Sequence, residues 1–157
     1  MIKLKDILFE STAPDIFIPR RTEDRLERMV KQYIRNGSKG NLDVSDLKLI
    51  VLPDMLKDIS VSEDFYCGNN NLTSLINAPK SVGGSFFCVN NDIKSLEGVP
   101  KTVGGSFDCS YNNLTTLEGA PKSVGGYFSC SNNPVQFTRK GVKSVCDVKG
   151  RIFVWLN

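Results

Sequence analysis

The chain has 157 residues, 40% of them hydrophobic and 24% charged, with a formal net charge of +3. That balance fits one globular domain with a terminal extension, and it argues against a disordered chain or a dedicated polyanion binder. There is no histidine, which removes histidine general bases, Ser-His-Asp and Cys-His nucleophile systems and imidazole metal ligation.

Charge is unevenly distributed: residues 1–40 carry +3, residues 41–127 carry −4 and residues 128–157 carry +4. No apolar run approaches the roughly 20 residues that span a bilayer, so no membrane association is expected. The opening residues lack the pattern of a secretory signal.

Residues 1–21 read as an N-terminal arm. Ile2, Leu4, Ile7 and Leu8 suit one or two amphipathic turns, which Ser11-Thr12-Ala13-Pro14 then breaks. The stretch from Met1 to Glu10, with its Leu8-Phe9-Glu10 tripeptide, resembles the capsid-targeting leader of internal head proteins in T-even-type phages. That resemblance implies cutting after Glu10, packaging in the virion head and delivery into the host cell. A plain docking arm is the alternative.

Residues 22–40 are expected to form a capping helix, spanning 23–36. Thr22 suits the N-cap, and Glu23, Asp24 and Glu27 suit the first turns. Leu26, Met29, Val30, Tyr33 and Ile34 fall on one apolar stripe. Lys31 and Arg35 favour the other pole of the helix, and Gly37 its C-terminal end.

Residues 41–137 carry the decisive signal, an internal period. Cys67, Cys88, Cys109 and Cys130 stand 21 residues apart. Phe65, Phe86, Phe107 and Phe128 precede them by two positions, and Asn70, Asn91, Asn112 and Asn133 follow by three. Further columns hold Leu72, Ile93, Leu114 and Val135; Leu75, Leu96 and Leu117; Pro79, Pro100 and Pro121; Val82, Val103 and Val124; then a Gly-Gly pair. The Phe-x-Cys alternation predicts a short strand with two residues facing in. One unit cannot bury its own apolar face, so units must stack as coils with parallel strands. Leu42 to Asp64 is a degenerate first coil of 23 residues, with Val44 in the cysteine column and Leu49 and Leu52 in the leucine columns. Five coils therefore begin near 42, 65, 86, 107 and 128. Each asparagine is expected to bond backbone groups of its own and the next coil. The Gly-Gly pairs read as a bend or bulge.

The segment Phe107-Asp108-Cys109-Ser110-Tyr111-Asn112-Asn113-Leu114 resembles the leucine-rich repeat, and is most similar to the short units of bacterial effector proteins and tailed-phage repeat proteins. The resemblance implies an α/β repeat solenoid: a right-handed coil with a parallel β-sheet on its concave face, an N-terminal capping helix and a C-terminal β cap. Ile16-Phe17-Ile18-Pro19-Arg20-Arg21, a basic helix and then the coils also look like phage-borne leucine-rich proteins.

Residues 138–157 are expected to form the C-terminal cap: strand Val145–Val148, turn Lys149-Gly150, then strand Arg151–Leu156, with Phe153 and Trp155 as a lid. Arg139, Lys140, Lys143, Lys149 and Arg151 read as a solvated basic end, with anionic-ligand or nucleic-acid contact as the alternative. The periodic cysteines read as buried, reduced core thiols of an intracellular protein, since no C-x-x-C occurs and the count, with Cys146, is odd. Cys146 has no histidine to activate it.

Neither a catalytic constellation nor a cofactor or metal motif is found, so the expectation is a non-enzymatic protein-interaction module in the cytoplasm of a host cell, as monomer or edge-paired dimer. A structural or capsid-packaged virion protein is the alternative. A binding face is expected where outward columns vary, at Tyr66, Phe87, Val89, Asp108, Tyr111 and Tyr127, with cross-strand stacking as the alternative role. Lys80, Lys101 and Lys122 form a second candidate line, read as solvated and offset by Glu97 and Glu118.

Overall fold

A computed structural model describes residues 20–155, with side chains from Arg25 onward. The arm upstream of Arg20, the leader ending at Glu10, the Thr22 side chain and Leu156 lie outside these.

The elements run α1 (Arg20–Arg35), β1 (Leu42–Asp43), β2 (Ser60–Val61), β3 (Phe65–Tyr66), β4 (Ser81–Val82), β5 (Phe86–Phe87), β6 (Thr102–Val103), β7 (Phe107–Asp108), β8 (Ser123–Val124), β9 (Phe128–Ser129), α2 (Arg139–Val145), β10 (Asp147–Val148) and β11 (Ile152–Phe153). They wind into a parallel β-solenoid of about five turns with two sheets, ordered β1-β3-β5-β7-β9-β11 and β10-β8-β6-β4-β2.

Register follows the period. Phe65, Phe86, Phe107 and Phe128 pair in succession, and Leu42 pairs with Phe65. These phenylalanines are fully buried, with neighbouring ring centroids 5.1, 5.6 and 5.2 Å apart. Each buried ring contributes about 1.5–3 kcal/mol of apolar transfer, and each ring pair about 0.5–1.5 kcal/mol more. Cys67, Cys88, Cys109 and Cys130, together with Val44, fill the next layer, and Leu49, Leu52, Leu72, Leu75, Ile93, Leu96 and Leu114 complete the core. All five cysteines are free and buried. Val135 is 40% exposed, because no further full coil covers it.

The second sheet was not expected. After each proline, a serine or threonine faces out and a valine faces in, as in Ser81-Val82 and Thr102-Val103. Two residues are enough for a rung because the neighbouring coils hold them on both sides.

The asparagine column closes each turn, but toward the preceding coil rather than the next. Asn112 Nδ2 donates to the carbonyls of Cys88, Cys109 and Ser110 at 2.9, 3.1 and 3.1 Å, while Oδ1 accepts the Ile93 N–H at 3.1 Å. Asn91 and Asn133 repeat the pattern, their oxygens accepting from Leu72 and Leu114. Asn70 accepts from both Leu47 and Leu49 of the first coil. A leucine there would strand a buried N–H in every coil.

The Gly-Gly pairs bend the chain as expected, and they also do a second job. Their φ angles are not left-handed. A Cβ on Gly104 would collide with the Gly83 carbonyl, and one on Gly125 with the Gly104 carbonyl. Glycine is needed there for close approach of successive backbones.

At the N-terminal end, helix α1 is already under way at Arg20, so Thr22 is an interior position and not the N-cap. Leu26, Val30 and Tyr33 are buried, whereas Ile34, expected on the same stripe, is 53% exposed. The helix turns only about 100° per residue, so Ile34 lies at the stripe's margin. The Tyr33 hydroxyl donates to the Ser38 carbonyl and accepts the Ser62 N–H, pinning α1 to the first coils. Gly37 ends the helix at φ 73°, with Ser38 N–H on Tyr33 O and Gly37 N–H on Ile34 O.

At the C-terminal end the expected strand, turn and strand form as β10, Lys149-Gly150 and β11, but a helix precedes them and they make no lid. Thr138 Oγ1 accepts the Gly141 N–H and starts α2, which runs through Val145. Strands β10 and β11 then join opposite sheets in parallel register, Val148 beside Val124 and Ile152 beside Phe128. Val142, Cys146 and Ile152 are the buried residues here. Phe153 faces outward next to Ser129, and Trp155 is 57% exposed, so neither forms a lid. Strand alternation explains this: with Ile152 inward, Phe153 must point out.

Candidate functional site

The outward positions of the six-stranded sheet form three columns, because side chains alternate along each strand. The central column holds Asp43, Tyr66, Phe87, Asp108, Ser129 and Phe153 in consecutive register. Tyr66 and Phe87 stack with ring centroids 5.1 Å apart and planes at 19°. Tyr127 meets Phe153 edge-on at 5.6 Å.

The Tyr66 hydroxyl donates to Asp64 Oδ2 at 3.0 Å. That hydrogen bond, then burial, then the charges of Asp64 and Asp43 raise its pKa above the ordinary tyrosine value. Tyr127 is raised as well, by burial first and then by the charge of Asp108 and a hydrogen bond to it. Both hydroxyls stay neutral donors at physiological pH.

Of the six expected residues, the fold brings Tyr66 and Phe87 into direct contact and places Asp108 beside Phe87 in register and against Tyr127. Val89 is half-buried on the same face. Tyr111 stands apart at the rim, 52% exposed, with φ at 54°. The same turn position holds Asp46, Asn69, Asn90 and Asn132 in the other coils, also at positive φ. Asparagine and aspartate tolerate that left-handed conformation far better than a bulky side chain does.

Phe153 belongs to the row and was missed. The signal was Arg151-Ile152-Phe153-Val154 set against Tyr127-Phe128-Ser129-Cys130, obscured by a spacing longer than the period.

The first outward column is not free to vary as a recognition surface is. Asn41 Oδ1 accepts the Asp64 N–H, Asp64 Oδ1 accepts the Ser85 N–H, Ser85 Oγ the Ser106 N–H and Ser106 Oγ the Tyr127 N–H. Three residue types share one structural task, a side-chain oxygen that closes the following coil. In the third column Ser110 is buried, its hydroxyl 2.6 Å from that of Ser129. The candidate surface contracts to the central column, the Asp64 carboxylate bonded to it, and the rim.

Elsewhere, Lys80, Lys101 and Lys122 are exposed at consecutive positions beside the second sheet, and no ion pair joins Glu97 or Glu118 to them among the described residues. Burial raises every cysteine thiol, that of Cys130 to about 12 and that of Cys146 to about 11. These sulfurs are poor nucleophiles and poor ligands. Among the described residues no group of Cys, Asp and Glu is arranged to hold a metal ion, and no helix is long and apolar enough to cross a membrane. Comparison with known proteins finds no matching family model, no matching curated protein and no matching solved structure.

Proposed function

We propose that this chain is a non-enzymatic protein-interaction module that engages a partner through the outward face of its six-stranded sheet. One observation carries the reading: a stacked aromatic pair, Tyr66 and Phe87, stands half-exposed on a rigid sheet face whose inward layers are uniform. Rigid aromatic anchors of this kind dominate protein interfaces, since they bury large area at little entropic cost. In this reading the solenoid is leucine-rich-repeat-like and the sheet lines its concave side. The setting is a phage protein acting on a host protein; that step rests on resemblance of the repeat and arm alone.

The test replaces Tyr66 and Phe87 by glutamate and compares proteins captured from host lysate by the parent and the variant. A partner retained by the parent and lost by a folded variant supports the face. Equal capture by both moves the site elsewhere.

A further inference from the structure

The same face is acidic as well as aromatic. Among the described residues Asp43, Asp64 and Asp108 take part in no ion pair. Across the three outward columns the first cationic residue is Arg151, at the far end of the sheet. This is the part of the chain that carries −4 between two basic ends.

Each carboxylate is also held in place. Asp43 Oδ1 accepts the Ser45 N–H at 2.9 Å, and Asp108 Oδ1 the Ser110 N–H at 3.0 Å. Asp64 Oδ1 accepts the Ser85 N–H at 2.6 Å. The aromatic pair lies between them: Tyr66 beside Asp43 and bonded to Asp64, Phe87 beside Asp108. Asp64 and Asp108 belong to coils two strand spacings apart, about 10 Å.

An aromatic surface flanked by carboxylates is the environment a guanidinium or ammonium group seeks. The ring faces attract the cation, and the carboxylates accept its hydrogens. The molecule offers its own example at the end of this face, where the Arg139 guanidinium lies 5.5 Å from the centre of the Trp155 ring. Resting on the interaction-module reading above, we infer that the face takes a lysine- or arginine-bearing segment of a protein partner, one cationic side chain seated against Tyr66 and Phe87 between Asp64 and Asp108.

Tyr111 fits the same occupant. It adopts a costly backbone conformation and makes no side-chain hydrogen bond or ring contact among the described residues. Strain kept without local compensation marks functional positions, and here it sets an exposed ring at the rim of the acidic face.

The experiment selects peptides from a random-sequence display library on the full chain. Recovered peptides are then measured by fluorescence anisotropy against the parent, a Tyr66→Ala/Phe87→Ala variant and an Asp43→Asn/Asp64→Asn/Asp108→Asn variant. Asparagine retains an oxygen for each backbone N–H, and at position 64 its NH2 can donate to the Tyr66 hydroxyl in place of the acceptor lost, so the fold is kept, and circular dichroism checks it. Peptides that depend on the aromatic pair are expected to carry net positive charge. They should lose on the order of tenfold in affinity in the asparagine variant and weaken further with added salt. Aromatic-dependent peptides that are neutral or acidic, or that bind the asparagine variant equally, overturn the cationic chemistry and leave the docking face standing. Recovery of no aromatic-dependent peptide overturns the docking face itself. Salt-sensitive self-association of the parent, abolished in the asparagine variant, would overturn the foreign partner and seat the basic end of a second copy there.

Discussion

Replacing Asn112 by alanine tests how far the fold depends on one side chain per coil. The side chain makes four hydrogen bonds, three as donor and one as acceptor. The consequences are unequal. The Cys88 and Cys109 carbonyls keep Asn91 and Asn133 as donors, and the Ser110 carbonyl keeps the Asn90 N–H. The Ile93 N–H has no other acceptor and sits in a fully buried residue. Orphaning it costs about 1–3 kcal/mol, and losing the two amide hydrogens, which three carbonyls share, costs about 0.5–1.5 kcal/mol each. The sum is on the order of 2–6 kcal/mol, a large share of the ~5–15 kcal/mol that holds a domain together. Asn113 is the control, one residue on and exposed, with a single amide contact to Asp92. Its replacement by alanine should cost less than about 0.5 kcal/mol. Equilibrium urea unfolding followed by circular dichroism measures both. An Asn112→Ala protein no less stable than Asn113→Ala would refute the view that this column closes the coils.

Two further outcomes are expected. Tyr111→Asn should raise stability by about 1 kcal/mol, read as a higher urea midpoint, because asparagine relieves the left-handed strain; an unchanged or lower midpoint would show that the ring is supported where it stands. Stability should also fall as pH rises above 9, the ordinary thiol value, and continue falling through about 11 for Cys146 and about 12 for Cys130. The sign follows from linkage: the unfolded chain releases thiol protons in that window while the folded chain keeps them, so alkali favours unfolding. Equal unfolding free energies at pH 8 and pH 10 would contradict it.

Much of this architecture is legible in the sequence because its residues recur at one interval. The phenylalanine, cysteine and leucine columns lie inside, and the register of Leu42 with Phe65 survives a coil two residues too long. What escaped has physical reasons. Ser81-Val82 and its counterparts are too short for strand alternation to appear, so the valine column did not by itself mark a second sheet. Asparagine, aspartate and serine in the first outward column look variable by residue type and are uniform by oxygen position. Helix α2 inserts residues between Phe128 and Ile152, which hid the register of the last strand and the place of Phe153 in the outward row. Of the candidate site, the Tyr66–Phe87 contact followed from register alone. The isolation of Tyr111 did not, since backbone handedness at one residue leaves no mark on composition.

The dependence of each coil on an asparagine from its successor makes the length of this molecule come in steps. Duplicating one whole unit, such as 107–127, adds a rung of about 4.8 Å and strands no polar group. Inserting a single residue between Asn112 and Gly125 would instead slide the glycines off the facing carbonyls. Where the natural units do lengthen, at 54–56 and 139–145, the extra residues coil into short helical turns on the return path. That return path is the place to graft a new loop, and the sheet can be extended only by the rung.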